Sequence, residues 1–295
     1  MSVTENALAE PWAPPRRVSR GRRAWRRFTS SKLSLPSLVW LFIIAVVSVF
    51  GRWLAPHSIA PNFLVSSQPP SWAYPFGTNS LGQDLFSQVI YGVQFTMAVA
   101  AGATALSFII GTVIGLISGM SKSWVDEILM RFTDVQFAFP TFVFAMLIVN
   151  AVSGATWGFI LGLGLVQWAG FARLIRATVL SLREGELVES GRAIGASPMF
   201  IAMRYVFPQA VSGVLVFAAF TMVNIIQTEA TISLMGFGPR PPAIDFGRLI
   251  TLGSSYVLGY PWLLAWPVVV LISILVALVG VGEGLQAMLN PKGGR

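Results

Sequence analysis

The sequence predicts an all-α, polytopic membrane protein of six transmembrane helices, and three observations carry that prediction. Of 295 residues, 55% are hydrophobic and only 11% charged, against about 25% charged in soluble domains. The apolar residues gather in uncharged stretches near the ~20 residues that cross a hydrocarbon core. The basic residues are strongly asymmetric about those stretches.

Taken in order, the first span lies in Leu33–Gly51, with its core at Leu38–Phe50. Leu85–Ser121 holds the second, best placed at about Phe95–Ser118. Val135–Ala172 is too long for one span and divides at Ser153-Gly154 into a third and a fourth. Val211–Leu234 is the fifth and Trp262–Val281 the sixth. An inside N-terminus leaves only Arg52, Arg240 and Arg248 of the 20 Lys and Arg outside, and the opposite orientation inverts that ratio. Both termini are therefore expected in the cytoplasm.

Residues 1–32 read as an arm rather than a domain. Arg16, Arg17, Arg20, Arg22, Arg23, Arg26 and Arg27 precede the first span, as in a cytoplasmic anchor on anionic lipid. A twin-arginine export signal fits less well, because the apolar run that follows is of span length and lacks a small-residue cleavage site. The net charge of +8 resides in this arm and the inter-span loops, which points to membrane topology and not to nucleic acid.

Several chemistries are excluded by residue supply. There is no cysteine and a single histidine, His57, so thiol chemistry, a histidine metal cluster and a Ser-His-Asp triad at depth all lack their parts. No phosphate-binding Gly-x-x-x-x-Gly-Lys-Ser/Thr sequence occurs around Lys32, Lys122 or Lys292, so any ATP is hydrolysed on another chain. No catalytic, metal or cofactor site is expected on this one.

Gly111, Gly115 and Gly119 form a small-residue ridge in the second span, and Gly154, Gly158 and Gly162 another in the fourth. Such ridges let helix backbones approach closely in lipid. On the fifth span Thr221, Asn224, Gln227, Thr228 and Thr231 recur at helical spacing, with Glu229 beside them. They fit either interhelical hydrogen bonding or a face of the translocation pathway. Glu229 needs a partner or water at that depth. Asp134 and Glu283 fall near cytoplasmic span ends and fit solvated positions. One carboxylate at depth is few for a proton-coupled transporter.

The segment Leu187–Pro208 is a polar peg between greasy runs. Val188 to Ile194 makes about two helical turns with Glu189 near the positive N-terminal end. Gly195 supplies the φ > 0 position that ends a helix, and Ser197-Pro198 restarts one as N-cap and first residue. Arg183, Glu184, Glu186, Glu189, Arg192 and Arg204 exclude it from lipid: at roughly +2.5 to +3.5 kcal/mol each, their burial would cost well over ~15 kcal/mol. An ordinary amphipathic loop helix is the alternative to a docking element.

Glu189-Ser190-Gly191-Arg192-Ala193-Ile194-Gly195-Ala196-Ser197, continuing to Phe207-Pro208, resembles the EAA loop of ABC-importer permease subunits. The family pattern is Glu-Ala-Ala, three residues, Gly, then an apolar helix ending near Pro. Ser190 and Gly191 stand where that pattern has alanines, and Gly191 loosens the helix by up to ~1 kcal/mol. Tyr74-Pro-Phe-Gly77-Thr78-Asn-Ser-Leu-Gly82-Gln-Asp84 is similar to the first external loop of the second, C-type permease subunit of dipeptide, oligopeptide and nickel importers. Tyr74 stands there for the usual His and Gln83 for the usual Arg. The runs Glu229–Gly238, Asp245-Phe-Gly247 and Gly282–Pro291 also match, with Gln286 for Arg. These three departures remove a possible metal ligand and two cations.

The resemblance spans about residues 30–292 and implies the type I importer permease fold. It divides the chain into the arm (1–32), the first helix with its external loop (33–92), a five-helix permease core (93–290) holding the coupling loop at 183–208, and a cytoplasmic tail (291–295). It implies a heterodimer with a homologous six-span permease subunit in a bacterial inner membrane, one or two cytoplasmic ATP-binding subunits that carry ATP and Mg, and an external solute-binding protein. Residues 189–193 and 195–197 are then the coupling contacts. The loop from Arg52 to about Gly92 reads as a folded cap, with a merely solvated connector as the alternative, and its Gly77, Thr78, Gly82 and Asp84 are the implied contacts with the binding protein. Peptides are the implied cargo; a nickel or metal-chelate importer, or a stand-alone ion-coupled transporter or channel, is the alternative.

Overall fold

The computed structural model describes residues 25–29, 31–121, 123–152 and 155–289 of the chain. Among the described residues the regular elements are helices, joined by loops, with one isolated β-bridge between Thr78 and Asp84. Most of the arm, all of the tail, and the Ser153-Gly154 division with the first glycine of its ridge lie outside them.

Helix α1 (Ser34–Leu54) is apolar and mostly exposed, as befits a helix facing lipid. The cap follows and ends at Asp84, whose carboxylate accepts hydrogen bonds from the Phe86 and Ser87 amides and so starts α2 (Leu85–Met120). At 36 residues and about 1.5 Å per residue, α2 is far longer than a ~30 Å hydrocarbon core. It begins ten residues before the expected span, and residues 85–92 are helix rather than loop. The reason is burial: Leu85, Ser87, Gln88, Val89 and Ile90 are covered by protein, so these turns need no lipid.

The third span is not a single helix. Helices α3 (Ser123–Ala138) and α4 (Thr141–Ala151) meet at 88° across Phe139-Pro140. Pro140 supplies no N–H and disfavours helix at the residue before it, which accounts for the break. Among the described residues, five helices are long and apolar enough to cross a membrane, and the number is six if this bent pair is one span.

Helix α5 (Thr156–Leu182) leads into the peg, α6 (Glu186–Ala193) and α7 (Pro198–Ile201). A π-helical turn, Ala202–Val206, joins α7 to α8 (Phe207–Ile232). Pro208 therefore lies in the first turn of α8 and ends nothing, since the wide turn before it accommodates the missing N–H. Beyond α8 a second π turn, Ser233–Phe237, breaks at Gly236. Helix α9 (Phe246–Ser255) and α10 (Trp262–Leu289) complete the chain.

Packing is organised by α2 against α5. A Cβ on Gly115 would sit 2.7 Å from the Ala172 carbonyl and one on Gly119 2.6 Å from Val179 Cβ, so the ridge joins two helices within this subunit. The Ser107 hydroxyl donates to the Gly164 carbonyl at 2.8 Å. Gly158 and Gly162 face α4 instead, beside the Val149 and Ala145 carbonyls. One apolar core, including Phe159, Ile225, Ile226, Phe246 and Ile274, joins α2, α5, α8, α9 and α10. A second, built on Phe171, Ile175, Val179, Val188, Ile201, Val206 and Val214, ties the peg to α5 and α8. Following the chain through its spans puts the peg at one end of the bundle. The cap and α9 lie at the other.

Candidate functional site

The peg is built as an elbow with two unlike faces. Gly195 has φ +77° with open space around it, so the turn itself and not crowding asks for glycine there. The Gly195 amide donates to the Arg192 carbonyl and the Ala196 amide to the Gly191 carbonyl, closing α6. The Ser197 hydroxyl then accepts from the Phe200 amide at 3.2 Å with Pro198 in the first turn, as the sequence predicts. Inward, Val188 and Ile201 are buried in the second core. Gly191 is buried too, 3.4 Å by its would-be Cβ from Ile201 and Tyr205.

Outward, Glu189, Ser190, Arg192, Ala193 and Ser197 are exposed, and Ala196 is partly so. Ile194 is 77% exposed, and Met199, Phe200 and Met203 of the same segment are exposed as well. Exposed apolar side chains framed by a carboxylate and a guanidinium make a surface suited to a protein partner. Neither charge has an ion-pair partner among the described residues.

The base of the peg is braced by ion pairs, and of their charges the sequence reading singled out Asp134 alone. The Arg176 guanidinium donates to both Asp126 oxygens, at 2.5 and 2.6 Å, and the Ser118 hydroxyl donates to the same carboxylate. This fork locks α5 to α3 and the end of α2. Arg173 donates to Asp134 at 2.6 Å while lying 4.1 Å over the Phe137 ring. Asp134, expected simply in water, is paired. Glu283 is exposed as expected.

The polar residues of the fifth span do not form one constellation. At about 100° per residue, Asn224, Gln227 and Thr231 share a face of α8, and all three are exposed. The Thr221, Thr228 and Thr231 hydroxyls each donate to the carbonyl four residues back, so their own helix satisfies them. Glu229 lies roughly across the helix from that face and is 1% exposed, accepting from the Thr96 hydroxyl at 3.0 Å. Its other neighbour is Asp245, 0% exposed at the start of α9, where burial raises the carboxyl above the ordinary range. Glu229 Oε1 and Asp245 Oδ2 are both buried with no hydrogen-bond partner among the described residues. Asp245 was missed as a partner because nothing in its loop context announces burial.

At the opposite end the four cap residues singled out by sequence are structural. Thr78 is fully buried, accepting from the Gln68 amide and donating to the Val65 carbonyl. Asp84 is also buried, holding the start of α2, the Ser87 hydroxyl at 2.6 Å and the His57 ring at 3.3 Å. Gly82 has φ +70° against the Asn62 carbonyl, and Gly77 packs on Trp262. They shape the cap from within, and the surface open to a partner is supplied by neighbours such as Phe63, Leu64 and Trp72. Tyr74 packs against His57 with ring centres 4.8 Å apart and planes tilted by 35°, and Gln83 donates to the Ile59 carbonyl.

Known proteins place this architecture. A family model described as the inner membrane component of binding-protein-dependent transport systems matches residues 111–294. One described as the N-terminal TM domain of oligopeptide transport permease C matches residues 19–70. The glutathione transport system permease protein GsiD of Shigella dysenteriae serotype 1 (strain Sd197) is 32% identical over 270 residues, 91% of this chain and 89% of that one. GsiD of Escherichia coli O157:H7 is 32% identical over the same shares. Among solved structures, the methionine ABC transporter MetNI in inward-facing conformations gives a TM-score of 0.56 at 18% identity, over 68% of this chain and 96% of its own. An amino acid ABC transporter crystallised with histidines gives 0.54 at 20% identity, over 67% and 92%. These structures carry the fold alone, which is the type I importer fold. The chain belongs to the inner membrane components of binding-protein-dependent transport systems, as a multi-pass ABC-importer permease of the peptide family.

Proposed function

We propose that this chain forms half of the translocation pathway of an ATP-driven importer of short peptides and receives the work of ATP hydrolysis through residues 187–208. The observation that carries the reading is the two-faced elbow: a left-handed turn at Gly195, an inner face packed with α5 and α8, and an outer face offering Glu189, Arg192 and Ile194. A push on such an element moves two spans as one body. ATP and Mg belong to one or two partner chains on the cytoplasmic side, where the charge asymmetry of the loops puts the peg, the arm and both termini. A homologous six-span subunit completes the pathway. The exposed Asn224–Gln227–Thr231 face of α8 turns toward it or toward the pathway, because polar groups at that depth avoid lipid. The external solute-binding protein docks on the cap. The division into arm, first helix with cap, permease core and tail follows the same scheme, with the cap ending at Asp84. The peptide cargo draws on the family match at residues 19–70 and on the relatives named for glutathione transport.

Reconstituted complexes test both halves of the reading. Glu189→Ala and Gly195→Val are expected to lower peptide transport and transport-linked ATPase activity together; wild-type levels of both would refute the coupling role. Uptake of labelled di- and tripeptides, competed with a nickel chelate, tests the cargo.

A further inference from the structure

Between the cap and α9 lies a cleft of about 670 Å³, within the ~300–1,000 Å³ of small-molecule sites. One wall is apolar, made by Pro241, Pro242, Ile244, Leu249 and Leu252. The facing wall is the amide cluster of the cap. Gln83 accepts from Asn79 and Gln88, each at 2.9 Å, and donates to the Ile59 carbonyl, so its amide is held from three sides. No Asp or Glu lines the cleft, and Arg248 is its one charged residue. The Arg248 backbone amide is used by Asp245, but its guanidinium has no ion pair or hydrogen bond among the described residues. The cap's buried carboxylate, Asp84, is outside the cleft lining and is spent on His57, Ser87 and the start of α2.

An uncommitted guanidinium on an apolar wall selects a carboxylate next to a hydrophobic group, and its planar fork meets both oxygens of a carboxylate at once. The rigid amide floor means that little ordering cost accompanies binding. We propose that the cleft is a receiving site for the carboxyl end of a short peptide-type solute, with Arg248 holding the carboxylate and Leu249 and Leu252 the adjoining apolar side chain. This rests on the peptide-importer reading, which puts the cap end outside, where solute is released from a binding protein. The cleft is then a specificity element separate from the polar face of α8.

The test uses the full importer complex in lipid nanodiscs without binding protein. Saturation-transfer NMR is recorded with alanyl-leucine and with its C-terminal amide. The free acid is expected to saturate at least fivefold more strongly than the amide. Arg248→Gln, and Leu252→Trp to fill the cleft, are each expected to lower the acid's signal at least fivefold. If one variant melts early, the other carries the test. Equal signals from acid and amide, or an undiminished signal in a folded variant, overturn the proposal. Peptide uptake by the wild-type complex with its binding protein is measured in parallel. No uptake overturns the peptide reading itself, whereas uptake with an unchanged Arg248→Gln signal overturns the cleft alone.

Discussion

The two ends of the bundle use their motif residues in opposite ways. At the peg, Glu189, Arg192 and Ile194 project from a small elbow whose inner face is anchored in apolar core. At the cap, Thr78 and Asp84 are buried and their polar atoms are consumed within the loop. A polar residue in a loop motif is therefore left exposed at one end and used for construction at the other. Burial separates the two meanings, and spacing does not.

That contrast can be broken by substitutions whose expected effects run from large to small. Asp84→Ala removes an N-cap and leaves the Ser87 hydroxyl and buried amides unsatisfied, so it is expected to cost about 3 kcal/mol. Thermal melting in detergent measures this, and the ATP used per solute by the surviving complex stays at the wild-type ratio. A changed ratio without a stability loss would move Asp84 to the contact class. Arg176→Ala opens the fork on Asp126 and is expected to cost about 2 kcal/mol. A cycle with Asp126→Ala then shows the second loss largely absorbed in the first. Gly195→Ala strains a left-handed turn for about 1 kcal/mol and is expected to change the ATP-to-solute ratio far more than melting. Gly191→Ala adds a methyl at 3.4 Å from its neighbours and is expected to stabilise α6 by about 0.5 kcal/mol.

Much of the fold was legible because it follows from one-dimensional signals. Span-length apolar runs located five helices, and the Gly195 and Ser197-Pro198 signals located the elbow. What was not legible depends on who covers what. The first turns of α2 read as loop because only the cap and α9 make them interior. The bend at Pro140 was hidden inside a continuous apolar stretch. At the site, the Asp126–Arg176 fork joins residues fifty positions apart, and the Glu229–Asp245 contact depends on how α9 folds back on α8. The four cap residues were picked out by resemblance, which cannot tell a buried cap from a docking contact.

The chain has no cysteine, so a single one can report which end meets the ATPase. Ile194→Cys on the outer face of the peg and Leu64→Cys on the cap, 77% and 93% exposed respectively, are compared in the assembled importer with a short thiol-to-amine crosslinker. The account predicts that Ile194→Cys joins this chain to an ATP-binding subunit, in a yield that changes with nucleotide, while Leu64→Cys gives no such product. An ATPase crosslink from Leu64→Cys, or none from Ile194→Cys, would contradict it.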